Sequence, residues 1–341
     1  MEAIILAGGF GTRLRPLTYT RAKSLLPILN KPMITYLIES LPDAVDTVVL
    51  AVNYRKKQIE EYFKRNDFGK QIIVNDEPEP LGTGGAVKYA EKHIKNSFFV
   101  LNSDIICSLN LNKMIEFHSR KNAVSTISLW HVENVSEFGV ADVKKDGNIV
   151  GFVEKPKPEN APSNFINAGA YLLDPAILDY IEAGHLVSME KEIFPQIIND
   201  TGRFFGYKFE GYWMDIGRVS SYKYVHNFLL EKKGLNNFIG KKCEINGDLK
   251  KTCIGDNVSI GKKSRLDSCI VYNNTSIGEN VVLSECIIGE NSKIGDFSNI
   301  KNSVIGDNEE LNEEAKIDEQ VVWTQSVPEG YPDKQIGNVL E

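Results

Sequence analysis

The sequence predicts an α/β protein: a Rossmann-like mixed, mostly parallel sheet with helices on both faces, followed by a left-handed parallel β-helix. Three observations carry that reading. Residues 1 to about 230 alternate short apolar runs with amphipathic stretches, an order that builds a sheet covered on both sides. The first apolar run, residues 3–7, stops at Gly8, Gly9 and Gly11, and ligands of such sheets bind beyond the carboxyl ends of the strands. From about residue 236 the texture changes, and Ile-Gly pairs recur at 254, 260, 277, 288, 294 and 305, the mark of internal repetition.

In chain order, strands are predicted at residues 3–7, 47–52, 71–74, 98–101 and 125–131, and helices at 33–40, 57–63, 85–92 and 111–119. The repeat has a period of 17. Ile254, Val271, Ile288 and Ile305 form one series; Ile260, Ile277, Ile294 and Leu311 a second; Leu266, Leu283, Ile300 and Ile317 a third. Each turn therefore divides into six, six and five residues, with three apolar positions pointing inward. Such hexapeptide-like repeats describe a triangular prism of short parallel strands, here of about four coils. Cys269 and Cys286 are one repeat apart, flanked in the same column by Thr252 and Ser303, so these thiols read as structural small residues. The expected divisions are 1–235 for the α/β domain, 236–325 for the β-helix and 326–341 for a tail that docks on a β-helix face.

Composition narrows the classes. At 341 residues the chain is long enough for two domains, and 25% charged with 42% hydrophobic residues is ordinary for a globular protein. A net charge of −7 argues against a nucleic-acid partner, so a phosphate site has to gather its cations locally. No apolar run approaches the roughly 20 residues of a membrane span, and no signal-peptide pattern opens the chain. The five cysteines form no C-x-x-C pair and no histidine follows His226, which excludes a zinc pattern and points to reduced thiols in the cytoplasm.

The strongest chemical signal is GGFGTRLRPLT at residues 8–18, followed by Lys23, Pro27 and Pro32. Glycines let a backbone turn sharply and approach a ligand, and successive amides form a nest for phosphate oxygens. Alone, the three glycines serve equally as a tight strand-to-helix turn. Thr12, Arg13, Arg15 and Lys23 tilt the reading, because a triphosphate needs nearby cations. The spacing is neither the G-x-G-x-x-G of dinucleotide folds nor the Gly-Lys-Ser/Thr of a P-loop. EPEPLGTGGA at residues 77–86 is a Pro/Gly loop between strand and helix. NSD at 102–104 puts Asp104 just past an apolar strand, where it caps a turn or ligates a metal. GYWMDIG at 211–217 sets Asp215 among apolar residues, where a carboxylate needs a partner such as a divalent cation. VEKP at 153–156, followed by NAG at 167–169, reads, as residues alone, like an exposed turn at its Glu-Lys pair before proline.

Together these segments resemble the nucleotide-sugar pyrophosphorylases, the sugar-1-phosphate nucleotidyltransferases, over nearly the whole chain. Their signature is G-x-G-T-R-L-x-P-L-T followed by a lysine and a proline; here Ala22 stands where a proline usually precedes the lysine. The resemblance implies nucleotide contacts from Leu6, Ala7, Gly8, Gly9, Gly11, Thr12, Arg13, Glu77, Leu81, Gly82 and Thr83. It implies Arg13, Lys23, Asp104 and Asp215 as the catalytic groups, with Mg2+ on Asp104 and Asp215. On the sugar side it implies Gly139 for close approach, Glu154 and Asn167 for hydroxyls, and Lys155 for the phosphate. The NSD motif, SMEKEIFP at 188–195 and GYWMDIG are most like the guanylyl-transferring branch. That implies GTP and mannose 1-phosphate as substrates, with Glu77 accepting hydrogen bonds from guanine N1–H and N2–H2. Arg218 and Val219 depart from the usual small or polar residue and proline, just outside the expected metal ligand. The flat faces and open ends of the prism need covering, which points to a homo-oligomer formed through the β-helix.

Three rivals stand beside this reading. Glucose 1-phosphate with UTP or dTTP uses the same chemistry. A non-catalytic subunit that binds nucleotide sugar would have lost a metal carboxylate or the Arg/Lys pair, and all four are present. An acyltransferase on the β-helix usually needs a histidine between coils, which this repeat lacks.

Overall fold

The computed structural model describes residues 1–332. The chain divides into two compact units. The first comprises Met1–Gly9 and Ile34–Met214; the second comprises Phe10–Met33 and the chain from Asp215 onward. The signature segment after Gly9 thus belongs with the repeat unit.

Among the described residues, thirteen strands precede the repeat: β1 Glu2–Leu6, β2 Pro27–Ile28, β3 Lys31–Pro32, β4 Thr47–Val52 and β5 Gln71–Asp76. They continue as β6 Phe98–Asn102, β7 Ile105–Cys107, β8 Ser125–His131 and β9 Gly139–Val143. The last are β10 Ile149–Glu154, β11 Phe165–Leu173, β12 Phe204–Lys208 and β13 Trp213–Asp215. In the first unit the sheet runs β10-β9-β11-β6-β1-β4-β5, with β8 beside β11 and β12 beside β8. β6, β1, β4 and β5 are mutually parallel. β11 is antiparallel to β6, β8 and β9, which makes the sheet mixed.

All five expected strands form, as do the helices Met33–Ser40, Lys56–Arg65, Gly82–Tyr89 and Leu111–Lys121. β11 (FINAGAYLL) was not assigned from sequence. Its register shifts between Asn167 and Tyr171, and a bulge breaks the period-two pattern by which a strand is read. Register sets the site. Leu6 lies opposite Ala51 on one side and Asn102 on the other. The carboxyl ends of β1, β4 and β6 are therefore level. Ile4, Val49, Phe98, Val100 and Tyr171 are fully buried beneath them.

In the second unit the repeat forms three parallel sheets of six, five and five strands among the described residues. Ile254, Ile288, Ile300 and Ile305 are completely buried in its interior. This is the parallel β-helix that the 17-residue period predicts. Five full coils are present, one more than expected, and a sixth strand closes one face. The extra coil is the first. Phe238 pairs with Cys253 and Glu244 with Ser259, both 15 residues on, whereas Asp248 pairs with Arg265, 17 on. One corner is two residues short, so a search at period 17 starts a coil late.

The thiol column is structural. Cys269 Sγ donates to Asp267 O at 3.2 Å, and Cys286 Sγ to Ser284 O at 3.1 Å and Ile300 O at 3.3 Å. Thr252 Oγ1 plays the same part toward Lys250 O at 2.9 Å. After the last coil Thr324 N is bonded to Glu309 Oε1 at 2.9 Å and Gln325 Nε2 to Asp307 O at 2.6 Å. Within the expected tail, Tyr331 packs on Phe10 and Tyr19. Residues 333–341, the rest of the expected tail, lie outside the described residues. No helix among the described residues is long and apolar enough to cross a membrane.

Candidate active site

In the first unit, the predicted residues gather at the carboxyl ends of the parallel strands. Leu6 ends β1, Ala7 N donates to Ala51 O at 2.9 Å, and Gly8 and Gly9 follow. Ser103 N donates to Leu6 O at 3.3 Å, which carries Asp104 to the same end. Glu77 follows β5; its N–H donates to Val52 O at 2.9 Å, and its side chain is buried. Burial pushes the Glu77 carboxyl above the usual carboxylate range.

The LGTGG segment, which opens the helix Gly82–Tyr89, is packed from behind. A Cβ on Gly82, whose φ is +72°, would lie 2.6 Å from Val187 O. Gly84 N and Gly85 N both donate to that oxygen, at 2.8 and 3.3 Å. These glycines admit the backbone of the 185–187 segment, a role the sequence reading did not assign. Thr83 Oγ1 donates to Glu190 Oε2 at 2.7 Å and accepts from Met189 N at 2.9 Å.

Glu190 continues the network. Its carboxylate also accepts from Ser188 Oγ at 2.9 Å and Tyr171 Oη at 3.0 Å. Tyr171 Oη in turn accepts from Asn167 Nδ2 at 2.8 Å, and Asn167 Oδ1 accepts from Gly169 N at 3.0 Å. Burial, then the Glu190 charge, raises the pKa of Glu154. Lys155 Nζ lies 3.9 Å from Glu154 Oε1. Gly139 has no room for a Cβ, which would meet Phe152 Cζ at 2.4 Å and Glu154 Oε2 at 2.7 Å. Its bareness seats Glu154, the sugar residue expected beside it.

In the second unit, Gly11 is left-handed, at φ 67° and ψ 39°, and opens the 3-10 turn Thr12–Leu14. A left-handed residue followed by right-handed ones aims successive N–H groups at one point. A Cβ on Gly11 would press on Thr18 Cγ2 at 2.8 Å and Lys23 Cβ at 3.1 Å, so the stem of Lys23 runs along the loop. A Cβ placed on Gly217 would lie 3.1 Å from Arg13 Nη2 and 3.4 Å from Asp215 Oδ2. The guanidinium and the carboxylate thus converge over one bare backbone position. Arg218 caps the helix Val219–Lys232, so its departure from the usual motif falls on a helix end.

Arg15, read from sequence as one of the cations for a triphosphate, is packed among aromatic rings. Arg15 is 4% exposed and stacks on the Tyr331 and Tyr19 rings, 5.1 and 5.9 Å from their centroids. The resemblance gives Arg13 a catalytic role and Arg15 none, and burial separates the two in the same sense. Arg21, which sequence did not single out, donates to Asp307 Oδ2 at 2.6 Å and Glu290 Oε2 at 2.9 Å. Its guanidinium also sits 4.7 Å from the Tyr272 ring centroid. Thr20 Oγ1 joins it on Asp307.

A divalent metal fits the donor chemistry. Among the described residues no group of three or more His, Cys, Asp or Glu side chains could hold a metal ion. Asp104 and Asp215 are hard oxygen donors. Mg2+ is commonly bound by one or two carboxylates plus substrate phosphates and water.

Comparison with known proteins places the chain. A family model described as nucleotidyl transferase matches residues 2–232, and one described as GMPPB C-terminal domain matches residues 234–335. A mannose-1-phosphate guanyltransferase of Yarrowia lipolytica is 44% identical over 230 residues, covering 65% of this chain and 62% of that protein. The chain spans 62–63% of the length of the first relatives it matches. The crystal structure of HddC from Yersinia pseudotuberculosis is 31% identical, with a TM-score of 0.58, over 67% of this chain and 99% of that one. A UDP-glucose pyrophosphorylase complexed with UDP-glucose is 26% identical, with a TM-score of 0.61, over 68% and 98%.

Proposed function

This chain belongs to the nucleotidyl transferase family, and from that premise we propose that it joins a sugar 1-phosphate to a nucleoside triphosphate, releasing pyrophosphate, with mannose 1-phosphate and GTP as the pair. The observation that carries the reading is the convergence of Arg13 and Asp215 over Gly217, in the unit that also holds the left-handed Gly11 turn. The activity in the name of the Yarrowia relative, mannose-1-phosphate guanyltransferase, supports the choice of substrates. Functionally we assign residues 1–235 to transfer and 236–325 to a scaffold that also serves self-association, its Val282 and Phe297 being exposed. We place the reaction in the cytoplasm, on the support of five free cysteines.

An oxygen of the sugar phosphate attacks the α-phosphorus in line. A P–O bond forms there as the α–β bridging bond breaks, and the electron pair leaves on pyrophosphate. The attacking phosphate is already anionic, so no general base is needed. Two highly charged anions must be brought together, so positioning and electrostatics supply the acceleration. The backbone from Leu6 and Ala7 through Gly8, Gly9, Gly11 and Thr12 cradles the triphosphate. Arg13 stabilises charge developing on pyrophosphate, and Lys23 does so at the α-phosphate. Asp104 and Asp215 would hold Mg2+, which when bound neutralises charge shared by the α-phosphate and the sugar phosphate. Glu154 and Asn167 orient the sugar hydroxyls beside Gly139, and Lys155 takes the sugar phosphate. Glu77, with Leu81, Gly82 and Thr83, faces the base; an ionised carboxylate accepts both guanine donors, which uracil and thymine cannot supply together.

The test is pyrophosphate release with Mg2+ over a grid. GTP, dTTP, UTP, ATP and CTP are crossed with mannose, glucose and N-acetylglucosamine 1-phosphates. A maximum at GTP with mannose 1-phosphate is expected. A maximum at UTP or dTTP with glucose 1-phosphate removes the role given to Glu77 and keeps the chemistry. No release in any pair, despite tight nucleotide-sugar binding, replaces the enzyme by a binding subunit.

A further inference from the structure

The carbonyls of the signature turn are held by hydroxyls from both ends of the second unit. Tyr331 Oη donates to Phe10 O at 3.1 Å, and Thr18 Oγ1 donates to Gly11 O at 2.9 Å. The two hydroxyls are also 2.9 Å apart; each has one proton, so with both donating to the carbonyls the contact between them carries none. Leu14 N adds a second bond to Gly11 O at 2.9 Å. Thr18 and Tyr331 are 0% and 6% exposed. The Tyr331 ring is fixed by Phe10 at 5.9 Å, Tyr19 at 4.9 Å and the Arg15 guanidinium at 5.1 Å. The chain reaches this place from the last coil, where Trp323 packs on Tyr19 at 5.1 Å and Thr324 is tied to Glu309.

A trans peptide is planar, with its C=O and N–H pointing opposite ways. Holding Phe10 O toward Tyr331 turns Gly11 N–H away from it. Holding Gly11 O toward Thr18 does the same for Thr12 N–H. These are the amides that the proposed function gives to the triphosphate. We propose that Tyr331 is a positioning residue for nucleotide binding: its hydroxyl fixes the Phe10–Gly11 peptide so that the loop presents its N–H groups to a nucleoside triphosphate. The inference rests on the nucleotide-binding reading of this loop. A residue 313 positions from Thr18 in sequence thereby belongs to the nucleotide apparatus without touching the nucleotide.

The experiment compares wild type, Tyr331→Phe and Tyr331→Ala. Calorimetry with GTP and Mg2+, without sugar phosphate, gives Kd; steady-state pyrophosphate release gives KM for each substrate; a thermal melt gives Tm. Tyr331→Phe keeps the ring and loses the hydroxyl that holds Phe10 O, so Kd and KM for GTP should rise about 3- to 10-fold. KM for mannose 1-phosphate should stay at the wild-type value, and Tm should fall only slightly. Tyr331→Ala should lower Tm much further, with Phe restoring most of the Tm but not Kd. The inference is overturned if Tyr331→Phe leaves Kd for GTP unchanged, or shifts both KM values together. If wild type binds GTP yet releases no pyrophosphate with any sugar phosphate, the proposed reaction fails and the Kd shift alone judges Tyr331. If wild type binds no nucleoside triphosphate, both fall.

Discussion

The glycine turns of the site and the corners of the β-helix meet the same backbone demand in opposite ways. Gly11 and Gly82 take positive φ where a Cβ would strike Thr18 at 2.8 Å and Val187 O at 2.6 Å. Asn257, Asn274, Asn291 and Asn308 take the same conformation, at φ 57–59°, while keeping their side chains. Their amides form a ladder up the prism, Asn257 Nδ2 to Asn274 Oδ1 at 3.0 Å and Asn274 Nδ2 to Asn291 Oδ1 at 3.2 Å. In the site the requirement is for empty space; in the repeat it is for a tolerated conformation, met four times over. Single-copy turns should therefore fail sharply and repeated corners should fail gently.

The largest effect is expected at the groups with no equivalent elsewhere. Arg13→Ala and Asp215→Ala should each lower kcat by about 10²–10³, the usual loss when one group that stabilises transition-state charge is removed. Single-turnover pyrophosphate release on the folded variants checks this. Near-normal turnover in either variant takes that residue out of the mechanism.

The same contrast governs what the sequence discloses. Arithmetic at period 17 finds the coils, and fails only at the first, where the corner between Glu244 and Asp248 is short. The Gly-rich turn and Asp104 are legible because each ends an apolar strand. Glu190 has no role legible in sequence, because its partners Thr83 and Tyr171 lie 107 and 19 residues away. No local pattern encodes such pairings. Arg15 looks like a second phosphate ligand until burial under Tyr331 is seen. Tertiary packing decided each of these, and it is the one thing composition and spacing do not carry.

Gly82→Ala should come next in size. A non-glycine residue at positive φ costs roughly 1–2 kcal/mol, and forcing a methyl into a packed contact costs about 1–3 more. Together these predict about 2–5 kcal/mol of lost stability, readable as a shift in the urea midpoint. Loss below about 1 kcal/mol would mean the 187–190 segment moves aside, and the packing account of this loop would be wrong.

A third corner lies between these extremes. Leu29 and Asn30 turn the β2–β3 hairpin at φ 47° and 60°, the primed geometry that closes a two-residue hairpin. It is held from outside: Asn30 Nδ2 donates to Ile254 O at 2.7 Å, and Tyr222 Oη and His226 Nε2 donate to Pro27 O, the latter at 3.1 Å. Burial pushes the pKa of His226 down to about 3. Above the unfolded value, about 6.5, both states are neutral and nothing changes with pH. Below it the unfolded chain takes a proton that the folded chain refuses, so stability falls with pH down to about 3. At pH 5 the loss should be roughly 2 kcal/mol. Wild type should therefore lose that much more than His226→Gln between pH 7 and pH 5 in paired denaturation curves; parallel curves would show that this imidazole titrates normally in the fold.

Asn274 tests the gentle end. If the corner needs only the conformation, Asn274→Gly should cost under about 0.5 kcal/mol, since glycine enters this region freely. Asn274→Ala should cost about 1 kcal/mol, since alanine does not. If the amide ladder carried the stability instead, both variants would lose the same two exposed bonds and fall together. Urea denaturation of the pair separates these outcomes. Gly above Ala keeps the contrast between space and conformation; equal losses would break it, and would make the repeat depend on its side-chain column as the site depends on its missing ones.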